Sequence, residues 1–248
     1  MTGPRYTVIT YIIGDYEQVH EIKERSERAT YLLITDNPNL KSETWKVICD
    51  LRLTGGPFNK VMDIRWNPWR YTNDEIVITL DGSLGVNCGL DDLIDAFDDG
   101  YYGLGIVIHP HRNTAAAELE VWASFRKHNG ASMQYTYLQI IGYNVERYKG
   151  LYQTGFMIRR RTPSVISFNG QVERRLLICG QGERDRLDQV LASATLNMGY
   201  SNMRVLWFSE RLLESKFITW YGHGNNDVVH QTGLIEPYAF NHPVDVYI

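Results

Sequence analysis

The chain has 248 residues, 44% of them apolar and 22% charged, with a formal net charge of -4, which suffices for a sizeable core and is ordinary for a soluble enzyme. That mild acidity argues against a protein held to nucleic acid mainly by bulk charge, and the three scattered cysteines, Cys49, Cys88 and Cys179, encode neither a disulfide framework nor a zinc site. A basic leader is absent and no window approaches the roughly 18 apolar residues of a membrane span, so a cytoplasmic protein is expected.

Tyr6 to Ile13 reads as a first strand closed by Gly14-Asp15-Tyr16, and Glu17 to Arg28 as a polar, charge-rich helix. Tyr31 to Thr35 is a second strand ending in Asp36-Asn37-Pro38, and Trp45 to Asp50 a short third one. After the Gly55-Gly56-Pro57 break come a short helix around Asn59 to Trp66 and an apolar, β-branched strand from Glu75 to Asp81. A helix over Leu90 to Phe97 and a strand over Leu104 to Ile108 follow. Asn113 is a good N-cap for a helix from Thr114 to about His128. A strand at Tyr152 to Arg160, helices at Val165 to Ile178 and Arg184 to Asn197, and a late strand near Met203 to Phe208 complete the pattern. The last forty residues lack periodicity and read as a loop-rich tail that folds back over the site. Strands alternating with helices predict an α/β domain with a mostly parallel central sheet flanked by helices. No linker or repeat divides residues 1–248, so one domain is expected.

Ligands in open α/β sheets collect at the carboxyl ends of strands, which places Asp81 and Ser83 where a site is expected. Two oxygen ligands spaced by a glycine could hold a hard divalent cation with a diphosphate; the other reading of Asp81-Gly82-Ser83 is a strand-ending turn. His109 and His111 flank a proline after an apolar strand, a spacing that lets both point into one cleft. Arg112, at a helix start, works against the helix dipole, so it is read either as a contact to an anionic partner or as a salt bridge to a nearby carboxylate.

Successive strand ends carry Gly14-Asp15-Tyr16, Asp36-Asn37, Asp81-Gly82-Ser83 and His109-Pro110-His111-Arg112. Added to these are Lys60, Glu118 or Glu120, Gly150-Leu151-Tyr152-Gln153-Thr154-Gly155-Phe156, Arg159-Arg160 and Asp188-Gln189. In this order the motifs resemble a family of glycosyltransferases of the nucleotide-sugar-binding GT-A fold, found in bacterial polysaccharide clusters, viruses and plant Golgi proteins. The resemblance covers roughly residues 6 to 208.

It implies a single Rossmann-like GT-A domain, with residues 1–110 binding the nucleotide sugar and 111–248 serving the acceptor. Mn²⁺ or Mg²⁺ would be held by Asp81 and Ser83, and by His223 if Tyr221-Gly222-His223-Gly224 matches the late histidine of glycogenin-like members. The donor, a UDP-sugar, would be bound by Tyr11, Gly14, Tyr16, Asp36, Lys60, Asp81, Gly82, Ser83, His109, His111 and Arg112. Asp188 and Gln189 would lie near the reacting carbon, with Asp185 as the other alignment of that element. The acceptor would be a glycan or other hydroxyl, and analogy with glycogenin-like enzymes implies retention of configuration. Three rivals stand beside this. One is a viral enzyme glycosylating modified DNA bases, with Arg159, Arg160 and Arg161 along the backbone. The others are a non-catalytic sugar-nucleotide or glycan-binding module, and a metal-dependent hydrolase built on His109, His111 and Asp81.

Overall fold

A computed structural model describes residues 3–109, 111–126, 129–179, 188–199, 203–221 and 246–247. Its centre is a sheet built from strands β1 (Tyr6–Ile12), β2 (Ala29–Thr35), β3 (Lys46–Cys49) and β4 (Ile76–Asp81), with β6 (Leu104–Ile108), β7 (Tyr152–Arg160), β8 (Val205–Phe208) and β10 (Val246–Tyr247). The order across the sheet is β10-β8-β6-β7-β4-β1-β2-β3. Every neighbouring pair is parallel except those made by β7, which runs antiparallel to both β4 and β6. The α/β architecture and mostly parallel sheet expected from the sequence are therefore present. Strands from both halves of the chain share this one sheet.

β1 and β4 are apolar, rich in β-branched residues and buried nearly throughout, as strands covered on both faces must be. Alternation sends Val8, Ile12, Ile78 and Leu80 to one face, where α2 (Asp91–Asp99) packs through Leu93, Ile94 and Phe97. Ile9, Tyr11 and Val77 go to the other face, under Ile64 of α1 (Pro57–Trp66). That second face is continued by Ile106, Met157 and Trp207 beneath α5 (Pro163–Cys179) and α6 (Asp188–Asn197). In α1, Pro57 sets the first turn and Pro68, just beyond, stops the helix.

Several expectations need correction. Residues 17–28 form no helix, because Val19 and Ile22 are their only apolar side chains and supply no stripe to bury. The segment is tied down by other parts of the chain instead. The Glu21 carboxylate accepts from the Ser42 hydroxyl at 2.7 Å and from the amides of Glu43 and Thr44 at 3.0 Å, while Ile22 N–H donates to Thr44 Oγ1 at 2.9 Å. The helix after the His109 turn, α3, covers Ala115–Arg126, and Thr114 rather than Asn113 caps it, its hydroxyl accepting from Ala117 N–H at 3.2 Å. A further helix, α4 (Asn129–Ile140), went unread, as did β5 (Leu84–Val86), which pairs antiparallel with β9 (Ile218–Trp220) in a separate two-stranded sheet. The start of the expected tail thus returns alongside Ser83, whose carbonyl accepts from Tyr221 N–H at 2.9 Å. Among the described residues no helix is long and apolar enough to cross a membrane.

Candidate active site

The sheet order reverses direction at β1, with β2 on one side and β4 on the other, so the carboxyl ends of these strands border the crevice where α/β sheets bind ligands. Asp81, the last residue of β4, stands in register with Tyr11 of β1. The Tyr11 hydroxyl donates to Asp81 Oδ1 and accepts from Arg65 Nε at 2.8 Å. Arg65, on the last turn of α1 and 6% exposed, also donates to Asp81 Oδ1 through Nη2 and to Asp188 Oδ2 through Nη1. Thr154 completes the group: its hydroxyl accepts from Arg65 Nη1 at 3.0 Å and donates to Asp188 Oδ2 at 2.9 Å.

Asp188 opens α6 and is 5% exposed, and the acidic side chain in a first turn suits the helix dipole. The shared guanidinium sustains the buried Asp188 carboxylate and the partly exposed one of Asp81, and although burial opposes it, these two carboxylates raise the Arg65 pKa. Burial is also the main reason that the Tyr11 hydroxyl is pushed well above its ordinary range. Behind Arg65 lies Arg159, fully buried. It donates to the Arg65 carbonyl at 2.6 Å, to Thr79 Oγ1 at 3.0 Å and to Asn169 Oδ1 at 3.3 Å, and its burial pulls its pKa down to about 9. Arg159 thus fixes the end of α1 that carries Arg65.

A second group lies one strand away. Lys60 Nζ pairs with Asp36 Oδ2 at 2.8 Å, and Asp36 Oδ1 accepts from Gly14 N–H at 2.9 Å. Burial raises the Asp36 pKa, but the bonds from Lys60 and Gly14 outweigh it and hold the carboxyl below its ordinary value. Gly14 has φ +69°, a left-handed turn that suits glycine. Tyr16, half exposed, puts its hydroxyl 3.4 Å from where a Cβ on Gly82 would stand.

The structure therefore gathers Tyr11, Gly14, Tyr16, Asp36, Lys60, Asp81, Gly82, Ser83 and Asp188 at the carboxyl ends of β1, β2 and β4. Gln189 adjoins them in the first turn of α6. His109 is different. It is 4% exposed and its Nδ1 accepts from the amides of His111 and Arg112 at 3.2 and 3.1 Å, so it builds the turn before α3. Burial, then the charges of Arg112 and His111, push its pKa down to about 3. His111 is exposed, and its ring meets that of His109 edge to face with centroids 6.2 Å apart. The Arg112 guanidinium is taken by Glu118, whose other oxygen accepts from Trp122 Nε1 at 3.0 Å. Of the arginines assigned to a DNA backbone, Arg159 is buried and Arg160 pairs with Glu75 and Asp98. Asp185 and His223 lie outside the described residues.

Sequence reasoning gave no role to Arg65 or Thr154. A signal for Arg65 existed: Phe58, Met62, Arg65 and Trp66 share the buried face of α1, and a charged residue on such a face needs a partner. No family model and no curated protein matches the chain.

Proposed function

We propose that this protein is a glycosyltransferase that moves a sugar from a nucleoside-diphosphate donor, a UDP-sugar, to a hydroxyl acceptor. The reading rests most on one observation: Asp81 and Asp188, distant in the chain, converge on Arg65 at the sheet's ligand-binding edge. Beside them stands the Gly14–Asp36–Lys60 group. A nucleotide sugar carries its base and ribose at one end, its diphosphate in the middle and the reacting carbon at the other. The side chains follow that order along the sheet edge, from Asp36 after β2, through Tyr11 of β1 and Asp81 of β4, to Thr154 of β7 and Asp188 beyond it.

Under this reading Asp36 and Gly14 serve the uridine, Lys60 and Asp81 the diphosphate, and Asp188 with Gln189 the transfer end, with retention of configuration. Among the described residues no three His, Cys, Asp or Glu side chains form a metal-binding group. Mn²⁺ or Mg²⁺ fits here only in the mode where one or two protein carboxylates and the substrate's phosphates complete the shell, and Asp81 would be that carboxylate, with Ser83 beside it. Such a cation would neutralise charge building on the departing nucleotide. The protein's own contribution is a set of fixed dipoles and charges, of which Tyr11, Arg65, Thr154 and Asp188 are buried.

The test is thermal denaturation and titration calorimetry with UDP and a panel of UDP-sugars, with and without Mn²⁺, followed by assay of UDP release. A ligand at about 100 times its Kd stabilises by about 2.7 kcal/mol, which raises Tm measurably. Stabilisation by uridine nucleotides together with slow release of UDP is expected. No shift with any uridine nucleotide, with or without the cation, would remove the reading.

A further inference from the structure

α4 is a surface helix without a charge. None of its twelve residues is Asp, Glu, Lys, Arg or His. It buries Ala131, Gln134 and Leu138 against the body of the protein and leaves Ser132, Met133, Tyr135, Thr136, Gln139 and Ile140 exposed. A helix whose outer side meets only water ordinarily carries charges there, as α2 does with its exposed Asp92 and Asp99.

The last turn of α5 has the same apolar character. Leu177 and Ile178 are 75% and 50% exposed, and Ile140 of α4 is 77% exposed. Between the two helices runs a groove of about 330 Å³, walled by Met133, Thr136, Tyr137 and Ile140 on one side and by Ile178 and Cys179 on the other. Met133, Tyr135, Ile140, Leu177 and Ile178 together expose roughly 500 Å², toward the upper end of the largest apolar patch on a typical monomer. With the uncharged Ser132, Thr136 and Gln139 among them, the surface extends toward the about 800 Å² per partner that a stable interface buries.

Three features select a second copy of this chain as the occupant. In a two-fold contact the residues beside the axis meet their own copies, so a charge there would face its like, and α4 has none. Met133, Thr136, Tyr137 and Ile140 recur at intervals of three and four, the spacing at which one helix packs along another. Ile140 borders the groove and stands largely in solvent, so each copy offers both a groove and a side chain to fill its partner's. A bilayer surface offers no such side chain, and it attracts a helix through Lys and Arg, which α4 lacks.

We propose that α4 and the last turn of α5 form a homodimer interface, in which α4 lies antiparallel to its copy across a two-fold axis and Ile140 of each chain seats in the other's groove. The inference stands apart from the catalytic reading, and its test uses no nucleotide.

Sedimentation equilibrium of the whole chain, from about 1 to 100 µM, compares wild type with Ile140→Glu and Ile178→Glu. Leu51→Glu, which changes an exposed apolar residue outside both helices, is the control. Wild type and Leu51→Glu should dimerise with a Kd at or below about 10 µM, and each of the other two variants should weaken this by at least about 100-fold, because a two-fold contact carries every substitution twice. Circular dichroism should be unchanged, since both substituted side chains face solvent in the single chain. A wild type that stays monomeric throughout this range, or a dimer that either Ile→Glu variant leaves intact, would overturn the proposal. In the monomeric case, binding of wild type but not of Ile140→Glu to phosphatidylcholine vesicles would give the patch to a membrane surface instead.

Discussion

The Arg65 guanidinium donates to Asp81 at the end of β4 and to Asp188 at the start of α6, so one buried cation fixes two carboxylates supplied by opposite halves of the chain. Removing it leaves both carboxylates without their charge partner. Arg65→Met should therefore destabilise the protein by about 3–5 kcal/mol, the cost of breaking a buried pair from one side. Arg65→Met with Asp188→Leu should recover part of that loss, because the orphaned charge goes as well. Urea denaturation of the two single variants and the double variant measures the coupling. Strictly additive losses would mean that Arg65 and Asp188 do not stabilise each other.

Asp188 and Asp185 were alternative assignments for one role. With Asp188 bonded to Arg65 and Thr154, Asp188→Ala should lower turnover by about two to three orders of magnitude, the scale of losing one preorganised electrostatic contact. Asp185→Ala should fall far less. Single-turnover rates of the two variants, with circular dichroism to confirm folding, decide between them. An inactive Asp185→Ala with an active Asp188→Ala would reverse the assignment.

On the proposed reading the Lys60–Asp36 pair, joined by Gly14 N–H, serves the nucleotide rather than the sugar. Lys60→Ala should weaken UDP binding about 10- to 100-fold, as expected for a charge-assisted contact worth about 1.5–3 kcal/mol, and the effect should shrink as salt rises. Uridine offers the same base and ribose but lacks the phosphates, so its affinity should hardly change. Calorimetry with UDP and uridine at two salt concentrations makes the comparison. Equal weakening for both ligands would place Lys60 at the base end instead.

His109 gives the fold a pH dependence. Its folded pKa, about 3, lies below the ordinary histidine value of about 6.5, so between these values the unfolded chain binds the extra proton and the native protein does not. Stability from this group is complete above about pH 6.5 and is lost as pH falls toward 3. By pH 5 the loss amounts to about 2 kcal/mol. His109→Gln should be less stable at pH 7, having lost the acceptor for two backbone amides, but should lose less between pH 7 and pH 5. Urea midpoints at pH 7, 6 and 5 for both proteins give the slopes; parallel slopes would show that His109 titrates normally.

The strands were legible because their signal is local. β1, β4 and β6 are largely apolar runs rich in β-branched residues, and the turn residues after β1, β2 and β4 mark their carboxyl ends. The misread stretches lack such a signal. Residues 17–28 carry charges at helical frequency yet have no apolar stripe to bury, and β5 is only three residues long, formed because β9 returns to pair with it. The sequence left Arg112 between an anionic partner and a salt bridge, and only tertiary structure brings Glu118 to it and folds the His109 imidazole into the turn before α3.

From the chain alone came the α/β class, the mostly parallel sheet, and the placing of Asp36, Asp81 and Asp188 at element ends, since periodicity and turn chemistry are written over short windows. Tertiary structure decided what those carboxylates touch. Arg65 is sixteen residues from Asp81 and 123 from Asp188, and no local pattern pairs them. They meet because α1 packs over Tyr11, Arg159 pins its last turn to the sheet, and β7 turns Thr154 toward α6. Contacts between distant residues depend on how whole elements pack, and that information exists only once the core has formed.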